Sequence, residues 1–234
     1  MPNISLPSFS FFKGDPDTSE DGSNVTYETL IDTSSEKIFV TNNSTSRREF
    51  GEAILGSIDK AGSGGIHAII PVKEVLASEE ETKQVMLTPR EVFSLLDLSV
   101  DSALARNIEG YTIGAIDTQS SGGEVFLLAD IRSYDESFGA LLDWEEDMAS
   151  DLYNIFHQHR AAISSNNSFE DSTVRGYDAR ELVIAEDSTE ADSETNNEEV
   201  ERESILIYSL PEENKLILTR TSEALRDIIL RLEE

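Results

Sequence analysis

His157-Gln158-His159 is the one place where two imidazoles stand close in the chain. On a strand, side chains alternate, so both rings would share a face and hold a metal. At the end of a helix, residues two apart point about 200° apart around the axis. The surrounding periodicity is helical and no third ligand follows at zinc spacing. The pair, extended by Arg160, therefore reads as basic groups complementing the last turn of a helix. His157 and His159 are the metal candidates.

Acid–base chemistry would need two carboxylates at a set separation, normally from different elements. Asp143, Glu145, Glu146 and Asp147 crowd into five residues of one segment. Such a run reads as the solvated face of a helix. Trp144 sits among these acids and is carried as a candidate interaction surface, set against a packing role. The Gly-rich stretches at Gly62 to Gly65 and Ser120 to Gly123 lack both the Lys-Ser/Thr of a phosphate loop and the GxGxxG spacing. Acids in the stretch 186–203 lack the DxDxDG order of a calcium loop. Asn3, Asn24, Asn42, Asn43 and Asn166 begin glycosylation-type triplets, which a chain this rich in Asn and Ser also yields by chance. The chain contains no cysteine, which excludes disulfides and thiolate chemistry. No catalytic residue and no cofactor emerges from these patterns.

The elements that would position these groups are legible from pattern. Three S/T-x-x-E boxes open apolar-periodic runs: Ser46 to Glu49, Thr88 to Glu91 and Ser133 to Glu136. They predict helices over 46–61, 89–97 and 134–157, with a short helix at 101–108 between the last two. Thr221 caps a final amphipathic helix. In the helix over 134–157, Tyr134, Phe138, Leu141, Leu142, Met148, Leu152, Ile155 and Phe156 fall on one stripe, which is expected to set Phe138, Leu142 and Leu152 against the sheet, leaving Trp144 off it and Asp143, Glu146, Asp147 and Asp151 facing away. Strands are expected near 66–73, 111–117, 124–131, 180–185, 203–209 and 215–219, with EKIFV (36–40) as a further short one. Pro71 argues for a sheet edge or a strand end. Residues 78–83 and 160–176 read as polar loops. Hairpins without βαβ alternation predict an α+β fold, a mostly antiparallel sheet with the helices packed on one face. Residues 1–35 read as a flexible tail or linker, and 36–234 as one domain interrupted by a disordered acidic insert near 186–203.

Charge bounds the partners. Of 234 residues, 47 are acidic and 18 basic, a formal net charge of −29. So negative a surface repels nucleic-acid phosphates and anionic lipid. It also suits high salt, where the Debye length falls to about 3 Å at 1 M. No run of apolar residues is long enough to span a bilayer, and the first residues lack the basic and apolar regions of a signal peptide.

The stretch VFLLADIRSYDESFGALLDWEEDMASDLYNIF (125–156) resembles a domain in predicted surface proteins of candidate-phylum bacteria. Tyr134, Trp144, Glu145, Met148, Asp151, Leu152 and Phe156 hold the positions that carry the likeness. It continues through TPREVFSLLDLSV (88–100), GYDARELVI (176–184) and ILIYSLPEENKLILTRTSEALRDIILRL (205–232), and so covers roughly 36–232. Members usually carry an N-terminal membrane helix and a Pro-rich linker. The resemblance thus implies an extracytoplasmic, cell-surface location, an anchor upstream and no activity; separately, a partner, if any, is expected to be a protein. The chain departs from the pattern in having no such helix and in its acidic insert. Two functions are expected from different classes: a non-enzymatic extracytoplasmic structural or binding domain, salt-adapted, or a hydrolase or metal-dependent enzyme built from acids with His67, His157 or His159. A cytoplasmic location is the alternative to the surface one.

Overall fold

The computed structural model describes residues 27–62, 64–78, 81–118, 122–156, 168–185, 202–211 and 214–234. The His157–His159 pair and the acidic insert up to residue 201 lie outside these. Among the described residues, nine strands and five α-helices form an α+β fold, as the pattern predicts. The strands are β1 (Ser35–Thr41), β2 (Ile66–Leu76), β3 (Thr82–Met86), β4 (Ile108–Thr118), β5 (Gly122–Ile131), β6 (Phe169–Val174), β7 (Tyr177–Ala185), β8 (Arg202–Ser209) and β9 (Lys215–Thr219). The helices are α1 (Arg47–Leu55), α2 (Pro89–Leu96), α3 (Ser102–Asn107), α4 (Tyr134–Phe156) and α5 (Ser222–Leu232).

All strands join one sheet in the order β1-β2-β4-β5-β9-β8-β7-β6, with β3 also on β2. Every pairing is antiparallel except β1 with β2. Two of the strands touch segments that composition marks as loops: β6 falls within 160–176, and β3 begins inside 78–83. Their residues are mostly polar because they sit at the margins of the sheet, where one or both faces meet water.

Pro71 lies inside β2 rather than at an edge. One side of β2 pairs with β4 through Ile66–Ile69 and then with β3 through Val72–Leu76. The Pro71 carbonyl accepts from the Leu87 N–H at 2.8 Å on that same side. Its missing donor therefore falls where β2 changes partner, and no ladder bond is lost. Gly114 marks a close approach across the β2–β4 pair: a Cβ there would lie 2.3 Å from the His67 carbonyl oxygen.

The helices occupy both faces, not one. Phe50 and Ile54 of α1, Val92 and Phe93 of α2, and Leu141 and Met148 of α4 share one core with Ile113, Val125, Ala129 and Leu218. The alternate residues of the same strands, Ile116, Phe126, Leu128 and Ile217, point the other way and are covered by Leu225, Ile228 and Ile229 of α5. The sheet centre is apolar on both faces, so it must be covered twice. Part of the second cover comes from residues 27–34, which composition assigns to the tail. Ile31 is buried beside α5, and Tyr27 packs on Ala68, Ile70 and Val72 of β2. The Leu30 N–H donates to Thr112 Oγ1 at 2.8 Å, and the Ser34 N–H to the Ile66 carbonyl at 2.8 Å.

Two capping boxes form in full, at Ser46/Glu49 and Thr88/Glu91. The third is half made. Ser133 Oγ lies 3.5 Å from the Glu136 nitrogen, while the Glu136 carboxylate turns to accept from Asn107 Nδ2 at 3.0 Å. That bond ties α3 to α4 instead of closing the box. The expected helix 46–61 breaks after Leu55, and a single 3-10 turn follows at Ile58–Lys60.

Candidate functional site

Leu141, Met148, Leu152, Ile155 and Phe156 are buried as the stripe predicts, but the buried face of α4 is turned by about 40°, less than half a residue step, toward Ser137 and Trp144. The buried positions are Ser137, Leu141, Trp144, Met148, Leu152 and Ile155. Leu142 is 39% exposed, and Trp144 is only 3% exposed. Trp144 is therefore a core residue and not an exposed interaction surface. Its indole N–H donates to Asp151 Oδ2 at 2.7 Å. Asp151, expected outside, is buried; its carboxylate also accepts from the Ser99 N–H at 2.6 Å and the Ser99 hydroxyl at 3.1 Å. Two turns of helix space the indole and the carboxylate so that a large aromatic can be buried with its donor satisfied.

The acids of α4 separate by the same rotation. Asp143, Glu146 and Asp147 are exposed, as a solvated face requires. Glu145 points inward and meets a row built by the sheet. Asp171 on β6, Arg180 on β7 and Tyr208 on β8 are direct partners across three neighbouring strands. Directly opposed residues share a face, and here that face is the one under α4. Arg180 Nε donates to Glu145 Oε1 at 2.9 Å and its Nη2 to Glu145 Oε2 at 2.8 Å, a bidentate fork. Its Nη1 donates to Asp171 Oδ1 at 2.7 Å, and the Tyr208 hydroxyl donates to Glu145 Oε1 at 2.7 Å. Hydrogen bonds to Glu145 hold the Arg180 guanidinium well above its usual range. Burial, and then the bond to Glu145, pushes the Tyr208 hydroxyl far above ordinary tyrosine. Both groups keep their protons at any physiological pH, so the guanidinium fork and the phenol bond hold Glu145 in place.

Beside the row opens a cleft of about 360 Å³, roofed by the first turns of α4 and floored by β6, β7 and β8. Tyr134 and Phe138 line it with stacked rings, centroids 5.8 Å apart and planes 11° from parallel. Asp171, Asp178 and Arg180 supply its charge, and Thr173 a neutral hydroxyl. Asp178 and Thr173 are cross-strand partners two residues from Arg180 and Asp171, hence on the same face. None of these residues was singled out by sequence motif, apart from the two aromatics placed on the helix stripe. They lie far apart in the chain, and only the β6–β7–β8 register assembles them.

The remaining candidates are dispersed. His67 is buried in β2, its Nδ1 2.6 Å from the Ser35 hydroxyl on β1, and its Nε2 has no partner. Burial lowers its pKa, and the charges of Lys37 and Lys60 lower it further. Glu145 is held in the row by Arg180, on a different helix-to-sheet seam. Gly62 and Gly64 adopt positive φ, which ends the α1 region in a tight turn. Asn42 uses its side-chain oxygen to accept from the Ser44 N–H and hydroxyl. Among the described residues no group of three or more His, Asp or Glu stands close enough to hold a metal ion. Also among them, no helix is long and apolar enough to cross a membrane. Comparison of the chain with protein-family models, with curated proteins and with solved structures gives no match.

Proposed function

We propose that this chain is a non-enzymatic binding domain whose ligand enters the cleft between the start of α4 and strands β6 to β8. The observation that carries this reading is the stacked Tyr134–Phe138 pair at that cleft, with Tyr134 38% exposed. Core aromatics are normally covered, whereas ligand sites combine apolar lining with a few fixed polar groups. A cleft of about 360 Å³ falls at the small end of such sites. Arg180 supports the wall: its guanidinium is tied to two acids from two elements, which gives the cleft a rigid floor. The location outside the cytoplasmic membrane rests on the resemblance of residues 36–232 to predicted surface-protein domains.

Fragment screening by two-dimensional NMR tests the reading. Hits are expected to shift the backbone resonances of 134–138 and 178–180 together, and Tyr134→Ala is expected to weaken them. Hits that cluster elsewhere and ignore Tyr134→Ala would overturn it.

A further inference from the structure

Resting on that reading, we infer that the cleft selects an organic cation, an alkylammonium group carried by a free polyamine or by a lysine side chain of a protein. Three features converge on this class. The first is the aromatic pair: ring faces carry negative electrostatic potential and attract ammonium groups placed over them. The second is local charge. Asp171 and Asp178 both border the cleft, while the one cation there, Arg180, is already engaged by Glu145 and Asp171. Asp171 keeps most of its side chain in water, so its second oxygen remains available on the cleft side. The third is the field of the whole chain. At −29, long-range steering favours cations and opposes carboxylates and phosphates. An anionic ligand would have to approach against that field and then displace an existing acid from Arg180.

The ammonium would sit between the ring faces and the Asp178 carboxylate. Its alkyl stem would lie along the apolar edge made by Phe138 and Leu210, both of which line the cleft. This division of a long side chain into apolar stem and charged head is how lysine behaves at surfaces generally.

The test titrates the full chain with spermidine and with Nα-acetyl-lysine methylamide, followed by NMR at low salt. The Nε-acetylated form of the lysine compound serves as neutral isostere. Shifts are expected at 134–138 and 178–180, lost with the isostere and weakened by 0.5 M NaCl. Tyr134→Ala and Asp178→Asn, both at solvent-exposed positions, are each expected to weaken binding about fivefold or more, with unchanged melting temperature. Tighter binding of spermidine assigns the site to free polyamines, and tighter binding of the lysine compound to a protein partner; either upholds the inference. Equal binding of the isostere overturns it. Neutral or acidic fragments that occupy the cleft where amines do not would also overturn it, while leaving the binding-domain reading intact. A cleft silent to amines and to every fragment would remove both.

Discussion

At the scale of single residues, Trp144 and Leu142 decide which face of α4 does the packing. Trp144 fills the core and has its one donor met by Asp151, whereas Leu142 stands 39% in water. Trp144→Ala is expected to cost about 3–5 kcal/mol, the range for removing a buried aromatic. Leu142→Ala is expected to stay within about 0.5 kcal/mol, as surface changes do. Urea denaturation midpoints of the two variants check the pair, and a reversed order would place the helix in the other phase. His67 makes a second residue-scale prediction. Its folded pKa is lowered, so above its ordinary value of 6.5 both states are neutral and nothing is lost. As pH falls through 6.5 the unfolded chain takes a proton that the folded chain refuses, and stability declines until the folded group also protonates. His67→Gln, measured by thermal melting between about pH 7 and pH 5, is expected to flatten part of that decline. A decline as steep as the parent's would assign the acid sensitivity to other groups.

At the scale of elements, the seam between α4 and the β6–β7–β8 end of the sheet depends on Glu145. The carboxylate is 14% exposed and receives two bonds from Arg180 and one from Tyr208. Glu145→Gln keeps the shape but removes the charge that Arg180 faces. It is expected to destabilise by about 1.5–3 kcal/mol, the usual worth of hydrogen bonds to a charged group. Arg180→Met in the same background tests the coupling, because the two losses should not add when residues share a bond. Additive losses in a double-mutant cycle would show that the row does not act as a unit. The β7–β8 pair makes a different prediction. Their ladder runs as far as Ala185 opposite Arg202, so a hairpin can close directly there. Replacing residues 187–201 with a Gly-Asn turn is expected to leave cooperative unfolding intact. A loss of cooperativity in calorimetry would mean that the acidic segment contributes to the core.

At the scale of the whole molecule, charge sets the balance. A formal −29 on the chain repels itself in dilute buffer, and salt screens that repulsion over a Debye length that shrinks to about 3 Å at 1 M. The melting temperature is expected to rise clearly between low and molar NaCl. A flat profile would remove the salt-adapted reading. The fold adds local relief, since many of the few cations are spent on specific acids: Lys73 on Glu91, Lys215 on Asp130 and Arg180 on Glu145 and Asp171.

What the chain determined by itself is what local physics controls. Ser46/Glu49 and Thr88/Glu91 satisfy orphan amides within one turn, so the helix starts at 47 and 89 follow from four residues each. The strands expected near 66–73, 111–117, 124–131 and 215–219 announce themselves because most of their residues are apolar and buried on both faces. The α+β class follows from those elements and their hairpins. Three things were decided only by tertiary structure. β3 and β6 are polar strands, and a polar strand at a sheet margin has the composition of a loop. The phase of α4 was ambiguous because Leu141 and Leu142 are adjacent, and the choice fell to the partner that satisfies Trp144, Asp151 with Ser99, fixed by packing across elements. The cleft was invisible because Asp171, Arg180 and Tyr208 become neighbours through strand register, and register is a relation between segments that no single stretch of sequence contains.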